Sequence, residues 1–322
     1  MDRNLAMDAV RVTEAAALAS ARTMGLGDLH RAEEAAVQAM RQAFDSLDIS
    51  GTVVIGEGSE AEVPVIYVGE RVGRGRETDP EVELAADPLE GSRLCARGMP
   101  NAMSVIAMVR NGHFLRVPDT YMYKIAVGPA GKGAIDLNRP IRWNLNSVAD
   151  AKGVYPEDLT VVVLDRPRHE GLIREIRETG ARIKLIPDGD VAAAIATCRD
   201  ETGIDMLLGE GGAPEGIIAA AALRCVGGDM LGQLRPRSAV ETEQIKALGV
   251  DVVDQIFTMD DMAQGDVLFA ATGITDGDLL RGVRFRRGGA VTNSMVMRSK
   301  TMTVRLIEAQ HRFDRKPNYG DL

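Results

Sequence analysis

Residues 52–70 read TVVIGEGSEAEVPVIYVGE, and Gly56, Gly58 and Ala61 stand there at the G-x-G-x-x-A spacing of a dinucleotide-binding turn. Such a turn works only if a helix opens at its last small residue and points its N-terminus at a pyrophosphate. Here Glu62 and Val63 lead into Pro64, which disfavours helix at Val63. Val65-Ile66-Tyr67-Val68, β-branched and aromatic, then reads as another strand. Glu57, between the glycines, would turn its own negative charge on the pyrophosphate. The stretch argues against a nucleotide-binding Rossmann domain. It leaves a carboxylate displayed on a glycine-flanked turn at the end of a strand.

Two amphipathic helices precede this stretch. One carries Leu5, Ala9, Val12 and Ala16 on a single face and ends near Gly25; the other carries Val37, Met40, Phe44 and Leu47. After it the pattern stays β to about Val127, through VELAADP, AMSVIAMV and MYKIAVG, with a hairpin signal at RNGH. From about Ile141 helix and strand alternate. TVVVLD is followed by a helix over Glu170–Thr179, then RIKLI, a helix through VAAAIATC, DMLLG and the helical PEGIIAAAALRCV. Such alternation predicts parallel strands with crossover helices. DVLFAATG and the runs at 291–297 and 302–307 add strands. The expectation is an α/β protein with an N-terminal metal-binding α+β subdomain over residues 1–150 and a C-terminal α/β subdomain over 151–322.

A chain of 322 residues can bury a large core, and 45% hydrophobic with 26% charged residues is ordinary for a globular protein. The net charge of −9 argues against general nucleic-acid binding. It leaves room for an anionic substrate, since metal ions or local arginines override net charge. No apolar run approaches the roughly 20 residues of a membrane span. The N-terminus lacks a basic start leading into an apolar stretch, so a cytoplasmic location is expected. Cys95, Cys198 and Cys225 are odd in number, widely spaced and set among apolar neighbours, and read as reduced core thiols. No two histidines stand at ligand spacing, which speaks against zinc.

The chemistry gathers in VELAADPLEGSR, Val82–Arg93. A strand runs into Asp87, Pro88 turns the chain out of it, Glu90 follows on the turn, and Ser92 is expected as a helix N-cap. Two such carboxylates can hold one hard cation, and Gly91 lets the backbone approach an anion. A capped turn with two solvated acids is the bland alternative. Other carboxylates resemble these in placement. Glu57 lies between glycines, and Glu215 opens a helix after Gly211, Gly212 and Pro214. Asp188 and Asp190 flank Gly189 before another helix, where at least one is expected to be only its N-cap. Glu33 shares a helix face with Val37, Met40 and Phe44 and so points inward, whereas Glu34 shares one with Gln38, Arg41 and Asp45. All-oxygen ligands favour Mg²⁺ or Mn²⁺, and two such ions about 4 Å apart serve phosphoryl hydrolysis. Arg166 and Arg168 flank Pro167 in LDRPRH, at the strand end where α/β proteins bind ligands.

DPLEGS is similar to the Asp-Pro-(Ile/Leu)-(Asp/Glu)-Gly-(Ser/Thr) signature of lithium-sensitive, magnesium-dependent sugar and inositol phosphatases. RVTEAAALA, VVIGEGSE, DRPRH, IPDGDVAAAI, GGAPEGIIAAAALRC, ATGITDGDLLRGV and MVMRSKTMTVRLIEAQHR narrow the likeness. With them the chain resembles the bacterial class II fructose-1,6-bisphosphatases nearly end to end. The resemblance implies a layered α/β/α/β/α sugar-phosphatase fold with mixed sheets, assembled as a homodimer or homotetramer. It implies hydrolysis of fructose 1,6-bisphosphate in gluconeogenesis with Mn²⁺ or Mg²⁺, and some relatives also accept sedoheptulose 1,7-bisphosphate. The metal carboxylates correspond to Glu33, Glu57, Asp87, Glu90 and Glu215. Sugar-phosphate contacts correspond to Glu90, Gly91, Ser92, Tyr121, Arg166, Pro167, Arg168, Asp188, Gly189, Asp190 and Gly212. Catalysis falls to Glu57, Asp87 and Ser92, whose hydroxyl orients the attacking water. The chain departs from the family at Glu33, commonly Asp, at Ser59 and Ala61, commonly acidic, and at Leu29, commonly Lys. A sugar-phosphate-binding regulator without turnover is the alternative of another class.

Overall fold

The computed structural model describes residues 5–56, 58, 66–110, 112–250 and 255–315. Apolar residues at helical spacing make the first two elements. α1 (Leu5–Ser20) buries Leu5, Ala9, Val12 and Ala16, and α2 (Leu29–Phe44) buries Val37, Met40 and Phe44. α1 stops before Gly25, in a short 3₁₀ turn over Ala21–Thr23. The Asp28 side chain starts α2 by accepting the Arg31 amide at 3.0 Å.

Strands β1 (Ser50–Ile55), β2 (Arg71–Val72) and β3 (Glu81–Glu90) follow, then the short helix α3 (Ser92–Arg97) and β4 (Met103–Arg110). β1 and β3 pair in parallel, while β2 and β4 lie antiparallel to their neighbours. The strand expected over Val65–Val68 does not form at Ile66–Val68; Tyr67–Glu70 turns, and the edge strand is Arg71–Val72. Val65 lies outside the described residues.

β5 (Tyr121–Val127) opens a second sheet, so the hairpin signal at Arg110–His113 does not join β4 to β5. α4 (Ile141–Lys152), β6 (Thr160–Leu164), α5 (Glu170–Glu178), β7 (Arg182–Ile186) and α6 (Asp190–Ala196) come next. β8 (Met206–Gly212), α7 (Ala213–Val226), β9 (Asp229–Arg235), α8 (Ala239–Ala247), β10 (Phe257–Thr258) and α9 (Met259–Met262) complete this part. The strand order is β10-β9-β5-β8-β6-β7. β7, β6 and β8 are parallel, as the alternation predicts, and the other pairs are antiparallel. Both faces are covered. Val161, Val163, Ile125 and Val127 share a core with Leu145 and Val148 of α4 and Ile173 and Ile176 of α5, and α6 and α7 pack against β8.

β11 (Asp266–Gly273) returns to the first sheet against β4, followed by β12 (Arg284–Arg286), β13 (Gly289–Arg298) and β14 (Thr303–Arg312). That sheet runs β12-β13-β11-β4-β3-β1-β2, with β14 also on β13. Several of its buried polar groups pair across elements. Thr272 Oγ1 lies 2.7 Å from Thr13 Oγ1 and 2.8 Å from Ser294 Oγ, and Thr292 Oγ1 donates to Glu14 Oε1 at 3.0 Å.

The chain therefore forms two compact units, one made of the described residues up to Phe114 and from Gln264 onward, the other of Leu115–Ala263. The boundary expected near residue 150 falls inside α4. β5 goes to the second unit through its bonds to β8 and β9, and β11 rejoins the first through β4.

Phe44 is fully buried in the first unit's core. Phe44→Ala is expected to lower unfolding free energy by about 3–5 kcal/mol, measured from denaturant midpoints at unchanged m-value. A loss below about 1 kcal/mol would mean that α2 is not anchored there.

Candidate active site

In the first unit the acids sit on an irregularity of β3. Asp87 lies opposite Val105 and Glu90 opposite Met103, so three steps on β3 match two on β4. This bulge absorbs Pro88 within the strand, where the sequence predicts that proline ends it. Asp87 and Glu90 are 9% and 2% exposed. The Leu89 amide donates to Asp87 Oδ1 at 3.0 Å. Gly91 then turns at φ 79° and occupies the N-cap position itself. Ser92 is the first residue of α3 instead of its cap, half-buried, and makes no capping bond. A β-carbon at Gly91 would sit 2.9 Å from Leu94 Cδ1 in a conformation that disfavours side chains.

α2 is tied to this corner. Gly25 and Gly27 amides donate to the carbonyls of Cys95 and Ala96 at 2.9 and 2.8 Å, and α2 packs on β3 and α3. Glu33 is half-buried on the face that carries Val37, Met40 and Phe44. Glu34 is exposed and accepts from Gln38 Nε2 at 3.2 Å. Leu29 is the first residue of α2. Glu57, Ser59 and Ala61 lie outside the described residues.

In the second unit parallel strands β6, β7 and β8 each end in a candidate segment: Arg166–His169, Asp188–Asp190 and Gly211–Glu215. Antiparallel β5 brings Tyr121, its first residue, opposite Gly212. Tyr121, Arg166, Pro167, Arg168, Asp188, Gly189, Asp190, Gly212 and Glu215 thus gather at one end of this sheet. Arg168 Nε and Nη2 donate to the Glu210 carbonyl at 3.2 and 2.7 Å, and its guanidinium lies 4.7 Å from the Tyr121 ring centre. Arg166 Nη1 donates to the Asp165 carbonyl at 3.1 Å. Gly189, at φ 88°, takes the N-cap position of α6 and leaves Asp190 as its first residue. Neither acid flanking Gly189 occupies the N-cap position itself.

Two residues escape the sequence reading. Lys124 Nζ is 2.6 Å from Asp190 Oδ2 and donates to the Gly212 carbonyl at 3.0 Å. Both partners of this ion pair are buried. A lysine inside the apolar run MYKIAV is the signal that could have found it. The glycines after Glu210 keep backbone close to these acids. A β-carbon at Gly211 would lie 2.4 Å from Asp190 Oδ2, and one at Gly212 1.8 Å from Glu215 Oε2. The second residue is His169, whose Nδ1 lies 2.7 Å from the Leu164 carbonyl while Nε2 accepts the Glu210 amide at 2.8 Å. The proton is therefore on Nδ1. The ring ties the arginine loop to β8.

Among the described residues no three Asp, Glu, His or Cys side chains converge as a metal site. The donors nevertheless suit a hard cation. Glu215 Oε2 is buried and has no hydrogen-bond partner among the described residues, and burial, then nearby Asp190, pushes its pKa up. Oxygen donors in such surroundings are what a divalent cation stabilises as carboxylates.

The sequence profile of the family described as "Bacterial fructose-1,6-bisphosphatase, glpX-encoded" matches residues 3–311. This chain belongs to that family. It is 45% identical to "Fructose-1,6-bisphosphatase 1 class 2" of Escherichia coli K12, over 98% of this chain and 97% of the relative. The class 2 enzymes of E. coli O6:H1 and Shigella flexneri match it to the same extent. The bacterial fructose-1,6-bisphosphatase family is metal-dependent.

Burial holds the His169 pKa below its ordinary 6.5. Below 6.5 the unfolded chain takes up the proton first, so the stability supplied by His169 is full above 6.5 and falls as pH drops through the lowered value. The stability gap between the parent and His169→Asn is expected to shrink between about pH 7 and pH 5, as the parent loses what neutral imidazole supplies. A gap constant across that range, in denaturant melts of both proteins, would contradict the assignment.

Proposed function

We propose that this chain hydrolyses the 1-phosphate of fructose 1,6-bisphosphate, releasing fructose 6-phosphate and inorganic phosphate in gluconeogenesis. The observation that carries the reading is the family match over nearly the whole chain, with 45% identity to the E. coli enzyme. The acids at the β3 bulge and the arginines at the β6 end support the same chemistry. Glu33, Glu57, Asp87, Glu90 and Glu215 would hold Mg²⁺ or Mn²⁺. When bound, the ion neutralises phosphoryl oxygens and lowers the pKa of the attacking water.

The chain's own groups do the rest. Gly91, in its left-handed turn, lets the backbone come close to the cleaved phosphate, where Glu90 also belongs. Ser92 Oγ, kept out of capping by Gly91, orients the water, and Asp87 and Glu57 help to activate it. Arg166 and Arg168, spaced by Pro167, hold the phosphate that stays, because guanidinium forks match phosphate oxygens. Tyr121, Asp188, Gly189, Asp190 and Gly212 contact the sugar phosphate. The protein works in the cytoplasm as a homodimer or homotetramer, without nucleic acid or membrane. No described helix is long and apolar enough to cross a bilayer.

Phosphate release from a panel of sugar phosphates, with Mg²⁺ and then Mn²⁺, tests the reading. Fructose 1,6-bisphosphate should give the highest kcat/KM. Preference for sedoheptulose 1,7-bisphosphate would move the substrate, and binding without release would make the chain a regulator.

Two substitutions test the roles. Ser92→Ala should lower kcat on the order of 100-fold with little change in KM; a near-normal kcat would remove the hydroxyl from the mechanism. Glu33→Ala should raise the metal concentration needed for half-maximal activity, while Glu34→Ala should not. Superimposed metal titrations of the two variants would leave Glu33 an ordinary helix acid.

A further inference from the structure

The sequence contains a second Arg-Pro-Arg triplet. Arg166-Pro167-Arg168 follows β6, and Arg235-Pro236-Arg237 leads from the end of β9 toward α8. The structure brings the third residue of each triplet to the same aromatic ring. The Arg168 guanidinium carbon is 4.7 Å from the Tyr121 ring centre and that of Arg237 is 4.4 Å from it. The register explains the meeting. β5 lies between β8 and β9, and Tyr121 sits opposite Gly212 on one side and Arg235 on the other.

Arg237 is also held in place. Its Nε donates to Glu241 Oε1 at 3.0 Å and its Nη2 to the Asp119 carbonyl at 3.2 Å. Glu241 is itself fixed by Thr120 Oγ1 at 2.7 Å and by the Arg237 amide at 3.0 Å. A helix-start ion pair on α8 would account for Glu241, since Ser238 caps that helix. It does not account for the ring. Two guanidinium groups at one tyrosine repel each other. Glu210, 3.6 Å from Arg168, Glu241 and Asp119 temper that repulsion, and Arg166 adds a third guanidinium at the same sheet end. An anion bound among them relieves the repulsion. The side chain of Arg237 is 44% exposed and within reach of a ligand.

We propose that Arg237 is a further substrate-binding residue, which joins Arg168 on the phosphate that is not cleaved, with Tyr121 as their shared platform. The inference rests on the sugar-bisphosphatase reading and deepens it. Arg237 lets the enzyme prefer a bisphosphate over a sugar carrying only the cleaved phosphate.

Fructose 6-phosphate, which carries only the uncleaved phosphate, is the probe. By titration calorimetry Arg237→Met should bind it about tenfold more weakly or worse, as expected for a lost charge-assisted pair. Arg237→Lys, which keeps the charge without the fork, should fall between. KM for fructose 1,6-bisphosphate should rise in parallel while kcat stays within about twofold, and Tm should stay at the parent value. Parental affinity of Arg237→Met for fructose 6-phosphate would overturn the proposal, and so would a fall in Tm without a change in that affinity. The Arg166→Ala/Arg168→Ala double variant separates the two levels. If it loses fructose 6-phosphate and Arg237→Met does not, only the role of Arg237 fails. If it too binds normally, the reading of the whole arginine cluster fails.

Discussion

A carboxylate taken out of water demands a compensating charge or hydrogen bonds, and this chain buries several. Asp87, Glu90 and Asp190 are all nearly shielded from water, and Glu215 Oε2 is enclosed. Lys124 meets the demand of Asp190 directly. Coulombic attraction to Lys124 also draws the Glu215 pKa down, but burial and Asp190 outweigh it. The local backbone follows from this constraint. Glycines at 211 and 212 exist where any β-carbon would collide with a carboxylate. The bulge at Pro88 and the left-handed Gly91 set two acids and a serine at one corner of the first sheet. Apolar packing makes the two sheets, and buried acids mark one corner of the first and one end of the second.

Electrostatics of the opposite sign shape the other cluster. Arg166, Arg168 and Arg237 belong to one sheet end of a protein whose net charge is −9. They become neighbours because strand order, not overall charge, selects which groups meet, and Glu210 and Glu241 meet them there too. β5 is placed between β8 and β9 by hydrogen bonds that ignore charge, and its first residue, Tyr121, consequently touches loops from both sides.

Much of this was legible in the sequence. The helix faces of α1 and α2, the parallel run β6–β7–β8 and the strand-end position of Arg166 and Arg168 follow from periodicity and alternation. Failures came where local chemistry allows two outcomes. Pro88 reads as a strand end, yet a bulge admits it inside β3. Ser92 and Asp188 or Asp190 read as caps, yet Gly91 and Gly189 take those positions by adopting positive φ. RNGH reads as a hairpin, yet the chain leaves for another sheet there. Lys124, His169 and Arg237 act through partners far away in sequence. Spacing alone cannot express a bond such as Glu210 N–H to His169 Nε2.

The way the chain visits its two units bears on how it is made. The central strand pair β4·β11 of the first sheet joins residues on either side of the whole segment 115–263. During synthesis, β1–β4 leave the ribosome with the β11 edge of β4 unpaired, and β5 begins a unit whose strands are all contiguous in sequence. The later-emerging unit is therefore the one able to fold first. Once compact, it holds residues 115 and 263 at a fixed separation, which replaces a long flexible loop by a short one and removes most of the closure entropy of pairing β4 with β11. Until that moment β4, with a run from Met103 to Val109 that is wholly buried in the finished protein, waits as an open apolar edge. The vulnerable interval in this protein's biogenesis is the time between β4 and β11.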